Sequence, residues 1–384
     1  MTKHNKLFFL STLFRSMAGS INLSTGLILI QSITTSDVMA TVIRSLAFFS
    51  TSLFTKPLNM LAIKIGRKRA IWLSCILNTI STLLILLASI INSSFVMVIA
   101  VLLSGVGAAG LMQTRFFLTE ETKSGSSKLL ARYMLVSAIG SIIGPSIVGM
   151  KFAALNQFTS TYLIVLLLTI LGTLSFYFVE DRTDNVSTNK NVIKNKLEKI
   201  SLDYFFSGLS HAFIQFIMTG TMTIIPLYLS KNGASLEIIG MMMSLHMIGM
   251  YLFSPLVSWF YEKIGAKLIS VTFFFVIVTE LCCFITESLV YGGINLFVIG
   301  LAWSSINISA TMEMSKLPKE KLGWQGIFDT LSALFGGFGV LISGALLKVG
   351  GYQFVLVFYS ILSLIILLGK IYGSSKRDMY RRTV

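Results

Sequence analysis

Long apolar runs separated by short polar segments dominate the pattern of this sequence. A helix needs about 20 apolar residues to cross a bilayer, and twelve runs reach roughly that length. Backbone groups in lipid must bond within their own segment, so runs of this length predict helices, whereas barrel strands are shorter and alternate. The twelve predicted spans are Leu7–Ile30, Val38–Ile63, Ala70–Ile91, Phe95–Leu118, Arg132–Ala154, Ser160–Val179, Asp203–Leu229, Leu236–Tyr261, Lys267–Thr286, Val290–Met312, Trp324–Leu347 and Tyr352–Tyr372.

The longest polar stretch separates the first six spans from the last six. It carries five basic residues among Asn, Ser, Thr and acidic residues, which is typical of a solvated linker. We therefore predict an N-terminal six-helix bundle over residues 1–180 and a cytoplasmic linker over residues 181–201. A C-terminal six-helix bundle with a basic cytoplasmic tail is predicted over residues 202–384.

Composition excludes several classes of protein. Of 384 residues, 54% are hydrophobic and 12% are charged, whereas a soluble domain has about 25% charged residues. A soluble globular fold and a disordered chain are therefore excluded, and three cysteines do not make a disulfide scaffold.

The net charge of +15 does not indicate nucleic-acid binding, because most basic residues cluster in short loops between the spans. That distribution predicts a multi-pass protein of the plasma or inner membrane with both termini in the cytoplasm. The basic loops then face anionic lipid.

The motifs of common enzyme classes are missing from the sequence. There is no phosphate-binding G-x-x-x-x-G-K-[ST] loop, no H-E-x-x-H and no G-x-S-x-G elbow, and the three histidines and three cysteines are scattered. We predict that the protein is not an enzyme, holds no cofactor or metal, and acts as a monomer on a small molecule.

The two halves repeat a loop at an offset of 199 residues. The segment 64–68, KIGRK, follows the second span, and the segment 263–267, KIGAK, follows the eighth. Parallel repeats of six helices are typical of one large transporter class, whose site lies at the midplane between the bundles.

Three motifs resemble those of the major facilitator superfamily. In the first, Gly66, Arg67 and Lys68 match the end of the family's loop after the second span, but Ile63 stands where the family has Asp. In the family, that Asp helps to hold the cytoplasmic side of the transporter closed. The equivalent loop of the second half keeps an acid, so the resemblance implies gating roles there for Glu262, Gly265 and Lys267.

The other two motifs consist of small residues. The fourth span has a Gly-rich run suited to close helix packing, but Val101 replaces the family's proton-transfer Arg. The fifth span carries Gly140, Gly144, Pro145 and Gly149, which resembles the signature of the family's antiport exporters and implies a conformational role for these residues.

Taken together, the resemblance implies an all-α membrane fold of twelve helices, in two bundles related by a pseudo-two-fold axis. It also implies proton-coupled export of a small organic solute by alternating access. An uptake symporter, an anion exchanger and a non-transporting sensor are the alternatives.

Ionisable residues within spans are costly and therefore suggest function. Arg15 shares a helical face with Asn22 and several small residues, so it either lines a wet cavity or snorkels to the inner surface. Arg44 lies inside the second span. The interior of the six N-terminal spans contains no Asp or Glu, and Asp37 lies at the outer edge of one of them. We predict an anionic or zwitterionic substrate, with drug-like molecules and metabolites, including metal-chelating ones, still open.

The C-terminal spans supply further polar candidates. Residues that we predict to face the substrate cavity are His211, Gln215, His246, Trp303 and Asn307. The proton-coupling candidates are Glu280, Asp329 and His211, because carboxyl and imidazole groups can carry a proton. The alternatives are hydrogen-bonded structural roles for the histidines, an outer-interface position for Glu280, and an inner gate or cation pairing for Asp329.

Overall fold

A computed structural model describes residues 3–111, 114, 117, 126–148, 156–179, 200–286, 289–315 and 323–383. Every regular element in these ranges is an α-helix, which confirms the predicted all-α class. The helices are α1 Lys3–Thr34, α2 Asp37–Ile65, α3 Arg67–Ile91, α4 Ser94–Leu111, α5 Ser126–Ser146, α6 Gln157–Tyr177, α7 Leu202–Lys231, α8 Leu236–Tyr251, α9 Ser254–Ile264, α10 Lys267–Ile285, α11 Leu289–Ser315 and α12 Gly323–Thr383.

Each of the twelve predicted spans overlaps a helix of this set. Among the described residues, ten segments are long and apolar enough to cross a membrane. The last segment, Thr330–Ser375, has 46 residues, enough for two crossings, and its backbone is non-helical at Gly350 and Gly351. That break falls between the predicted eleventh and twelfth spans, and the shorter apolar segment Leu135–Ser146 of α5 corresponds to the fifth.

One predicted span boundary is corrected by the structure. The fifth span was placed at Arg132–Ala154, but α5 runs from Ser126 to Ser146, because Pro145 lies in its last turn and cannot donate a backbone hydrogen bond. The eighth predicted span lies within one apolar segment of membrane-spanning length, Leu236–Ile264. Its helix is interrupted between α8 and α9, with Pro255 in the first turn of α9, a position that proline favours.

The repeated loops each have a glycine at positive φ. Gly66 lies between α2 and α3 with a φ of +89°, and Gly265 lies between α9 and α10 with a φ of +59°. Positive φ favours glycine because it has no Cβ. Two glycines 199 residues apart therefore each provide a backbone conformation that other residues rarely adopt, at equivalent places of the repeat.

The chain forms two compact units. Unit 1 comprises residues 1–188 and 226–244, and unit 2 comprises residues 189–225 and 245–384. The predicted linker at residues 181–201 lies almost wholly outside the described residues, so the domain boundaries stay a prediction.

Each unit has its own helix packing. In unit 1, α1 packs against α5 and α6, while α4 packs against α2 and α3. Small residues permit the α1–α5 contact, since a Cβ on Gly140 would lie 2.7 Å from the carbonyl oxygen of Leu13. In unit 2, α10 packs against α11 and α12, and α9 packs against α11.

Candidate functional site

A cavity of about 310 Å³ opens inside unit 1, between α1, α2, α3, α4 and α6. All three residues predicted for the N-terminal half, Arg15, Asn22 and Arg44, line it. The other lining residues are Ala18, Gly19, Leu23, Ala47, Phe48, Thr51, Cys75, Asn78, Thr82, Ser104, Gly105, Ala108, Leu111, Val165, Thr169 and Thr173. None of these described lining residues is an acid, so the two guanidinium groups dominate the charge of the cavity.

Arg44 is a buried cation, with 6% of its surface exposed. Among the described residues, no carboxylate oxygen lies within 4.0 Å of it. A Cβ on Gly26 would lie 2.9 Å from Asn22 Oδ1 and 3.1 Å from Arg44 Nη1. The missing side chain of Gly26 thus leaves the room in which these polar groups converge.

The amide of Asn22 is held from a second helix. The hydroxyl of Tyr162, a completely buried residue of α6, donates a hydrogen bond of 3.0 Å to Asn22 Oδ1. This bond fixes the amide beside Arg44, and it places donors from α1, α2 and α6 around one point. Tyr162 was missed in the sequence because its apolar ring does not interrupt the sixth span.

Arg15 occupies the second charged position in the cavity. Its Nη1 donates to the sulfur of Cys75 at 3.4 Å, while its buried Nε has no hydrogen-bond partner among the described residues. The stem of Arg15 lies over Gly172, where a Cβ would come within 2.9 Å of Arg15 Cγ. Its guanidinium therefore lines the cavity, as one of the two sequence alternatives predicted.

The remaining wall combines apolar surface with hydroxyl and amide groups. Leu23, Phe48 and Val165 supply apolar and aromatic surface, while Asn78 and Thr51 add hydrogen-bonding groups. A volume near the lower end of ordinary ligand pockets suits a small molecule. Chemically, the cavity can bind an anionic group with a modest apolar body.

In unit 2, two of the predicted residues are brought together. The indole Nε1 of Trp303 donates a hydrogen bond of 2.8 Å to Gln215 Oε1, and the ring of Tyr251 meets Trp303 edge-on at 6.3 Å between centroids. His211 and Asn307 are partly buried on α7 and α11. Their roles in substrate binding stay predictions.

His246 is completely buried in unit 2. Its Nδ1 lies 2.5 Å from the carbonyl oxygen of Leu296, a contact that requires a proton on Nδ1. The Nε2 atom has no hydrogen-bond partner among the described residues. A ring fixed to the backbone in this way fits the structural alternative for His246.

Glu280 is a completely buried carboxyl group on α10, not a solvent-exposed one. Its described polar contact is the amide of Asn295, 3.5 Å from Oε2, and the same amide donates to the hydroxyl of Tyr352 at 2.9 Å. Both Glu280 Oε1 and Asn295 Oδ1 lack a partner in the described part of the chain. A protonated carboxyl could donate to such an acceptor, whereas a carboxylate would leave a charge unpaired.

The predicted gating residues are distributed over several places. Glu262 and Lys267 are exposed, and the buried carboxylate near that loop is Glu313, which accepts a hydrogen bond of 2.6 Å from Tyr261. Lys68 lines a surface groove at the start of α3, next to Arg67.

Three predicted gating or coupling residues remain, in or near α5 and in α12. Gly144, like Gly140, meets α1, where a Cβ would lie 3.0 Å from Met17 Cα. Gly149 and the side chain of Asp329 fall outside the described residues.

Comparisons with known proteins agree with the resemblance. A family profile described as Major Facilitator Superfamily matches residues 7–207 and again residues 204–378. An uncharacterized MFS-type transporter of Bacillus subtilis strain 168, YddS, is 23% identical over 94% of this chain and 88% of its own length.

Two solved structures share the fold. A bacterial homologue of the human lysosomal transporter Spinster aligns with a TM-score of 0.75 at 13% identity, over 98% of both chains. The human organic anion transporter MFSD10 aligns with a TM-score of 0.67 at 14% identity, over 96% of this chain and all of that one.

Proposed function

Because this chain belongs to the Major Facilitator Superfamily and is a multi-pass membrane transporter, we propose that it exports a small anionic or zwitterionic organic solute in exchange for protons. The observation that carries this proposal is the cavity of unit 1, in which Arg15 and Arg44 face a volume without an acidic lining residue in the described chain.

The argument for an anion is electrostatic. A guanidinium removed from water costs several kcal/mol unless an opposite charge and hydrogen bonds offset that cost. Arg44 has no such carboxylate among the described residues, so the carboxylate of a solute would complete its surroundings with charge-assisted hydrogen bonds. Phe48 and Leu23 would contact the apolar body of the solute.

One structural neighbour has a related substrate class. MFSD10 is described as an organic anion transporter. At 14% identity the likeness concerns the fold, so it supports the substrate class without identifying the solute.

Proton coupling is assigned to Glu280. Its carboxyl group is completely buried, and no cation lies within 4.0 Å of it in the described chain. Burial without a nearby cation favours the neutral carboxyl group over the carboxylate until water enters its surroundings. The substrate site in unit 1 and the proton site in unit 2 would then be separate, and export itself is supported by the exporter-like pattern of Gly140, Gly144 and Pro145 in α5.

Replacing Glu280 with glutamine should abolish solute movement driven by a pH gradient, while solute binding and solute exchange without a gradient persist. The amide keeps the size and hydrogen-bonding capacity of a protonated carboxyl but cannot release a proton. The assay is flux in proteoliposomes, with the organic anion that most raises the melting temperature of the wild-type protein as its solute.

The matched control is Glu237→Gln, which removes an exposed acid and should leave the gradient-driven flux unchanged. Persistence of gradient-driven flux in Glu280→Gln would contradict the assignment of the proton site. Net solute movement in the same direction as protons would replace export by uptake symport.

A further inference from the structure

We propose that a second site in unit 1, separate from the cavity and independent of the proposed function, binds the headgroup of an anionic phospholipid. It is a groove of about 540 Å³ where α2 ends, α3 begins and α6 ends. We call it the basic groove, and it is lined by Ile65, Lys68, Arg69, Trp72, Leu73 and Tyr177.

The two cations of the basic groove lie in neighbouring rows of side chains on α3. Lys68 precedes Trp72 by four residues and Arg69 precedes Leu73 by four, so each pair is superposed on the helix surface. Among the described residues, no carboxylate oxygen lies within 4.0 Å of Lys68 or Arg69. They lie in the first turn of the helix, where the backbone dipole also favours an anion. The groove is therefore complementary to a phosphate group.

The remaining wall of the basic groove matches a lipid and not a free ion. The rings of Trp72 and Tyr177 lie 5.5 Å apart between centroids, and Ile65 and Leu73 continue the apolar surface. Trp72 also packs against the buried cluster that includes Phe176, so this wall is fixed. Tryptophan and tyrosine favour the level of lipid headgroups, where the glycerol region would contact them.

The position of the basic groove along the membrane normal supports the same occupant. Four of the lining residues lie in the first two turns of α3, Tyr177 is the last residue of a membrane-spanning segment, and Ile65 is the last residue of α2. The distribution of basic loops predicts that this end faces the cytoplasm, and the cytoplasmic leaflet carries anionic lipid. Basic pockets between helices at this level are suited to phosphate headgroups.

The test counts lipids on the purified full-length protein by native mass spectrometry, with phosphatidylglycerol, phosphatidylethanolamine or inorganic phosphate added. We expect one phosphatidylglycerol per chain to be retained selectively. Lys68→Gln and Arg69→Gln should each weaken that binding about fivefold. The matched control is Lys64→Gln, which removes an equal charge from an exposed residue of the same loop that does not line the groove.

Retention by the wild type and the control, with loss in both groove variants, would support the site. An equal loss in Lys64→Gln would overturn it in favour of diffuse attraction. Equal retention of phosphatidylethanolamine would also overturn it, and so would binding of inorganic phosphate that displaces no lipid.

Discussion

Replacing Arg44 with methionine should lower the transport efficiency for an organic anion by at least about 30-fold. Removing one partner of a desolvated, hydrogen-bonded charge pair costs about 2–5 kcal/mol, and the pair in question is the one that Arg44 would form with the solute. Flux in proteoliposomes measures the effect. Arg44→Lys keeps the positive charge but loses the planar guanidinium that can donate two parallel hydrogen bonds to a carboxylate. Its transport efficiency should therefore lie between those of the wild type and Arg44→Met.

The same Arg44 variant should be at least as stable as the wild type. Arg44 is a buried cation without a carboxylate partner among the described residues. Its replacement by methionine therefore removes the free-energy cost of burying that charge, whereas replacing a residue that holds the fold together would lower the stability. Thermal unfolding in detergent measures this, and Arg132→Gln, an exposed arginine in the same unit, is the control for the loss of one positive charge. Unchanged transport would contradict the role of Arg44 in binding the solute, and a lowered melting temperature would show that Arg44 stabilises the fold.

Replacing Lys370 with methionine should destabilise the protein by about 3–5 kcal/mol, the range for breaking a buried ion pair by removing one partner. Lys370 is completely buried, and its Nζ lies 2.6 Å from Asp203 Oδ1 and 2.5 Å from Ser207 Oγ. Ser374 also donates to Asp203 Oδ1, at 2.9 Å. The variant leaves the buried carboxylate of Asp203 without its lysine. Chemical denaturation monitored by fluorescence measures the change.

The double variant Asp203→Asn with Lys370→Met is the decisive comparison for this pair. It removes both charges, so it should recover most of the lost stability. Lys348→Met, which neutralises an exposed lysine of α12, should have little effect. A double variant as unstable as the single one would mean that Lys370 acts through packing and not through its charge.

The helices and the charged residues of the cavity could be predicted because they depend on local patterns. Span length follows from apolar runs, and Arg15 and Asn22 share a face of α1 because they are seven residues apart on a helix. The turn at Gly66 was recognisable from the loop repeat, and its positive φ explains the glycine. Each of these features follows from the pattern of residues along the chain, without knowledge of which helices are neighbours.

The partners of these residues could not be predicted, because they come from distant parts of the chain. Tyr162 bonds to Asn22 across 140 residues, and Lys370 bonds to Asp203 across 167. Helical periodicity indicates which face of a helix is polar, but the neighbouring helix is decided by packing. Asp203 was read as the edge of a span for this reason, and its complete burial shows only in three dimensions.

The most direct test of the anion-binding cavity is the melting temperature of the purified protein with matched pairs of molecules that differ in charge, such as benzoate with benzamide and nicotinate with nicotinamide. Since ligands that bind the folded state stabilise it, the carboxylate members should raise the melting temperature of the wild type but not of Arg44→Met, and the amides should raise neither. Stabilisation by amides equal to that by carboxylates, or stabilisation by carboxylates that persists in Arg44→Met, would contradict the account.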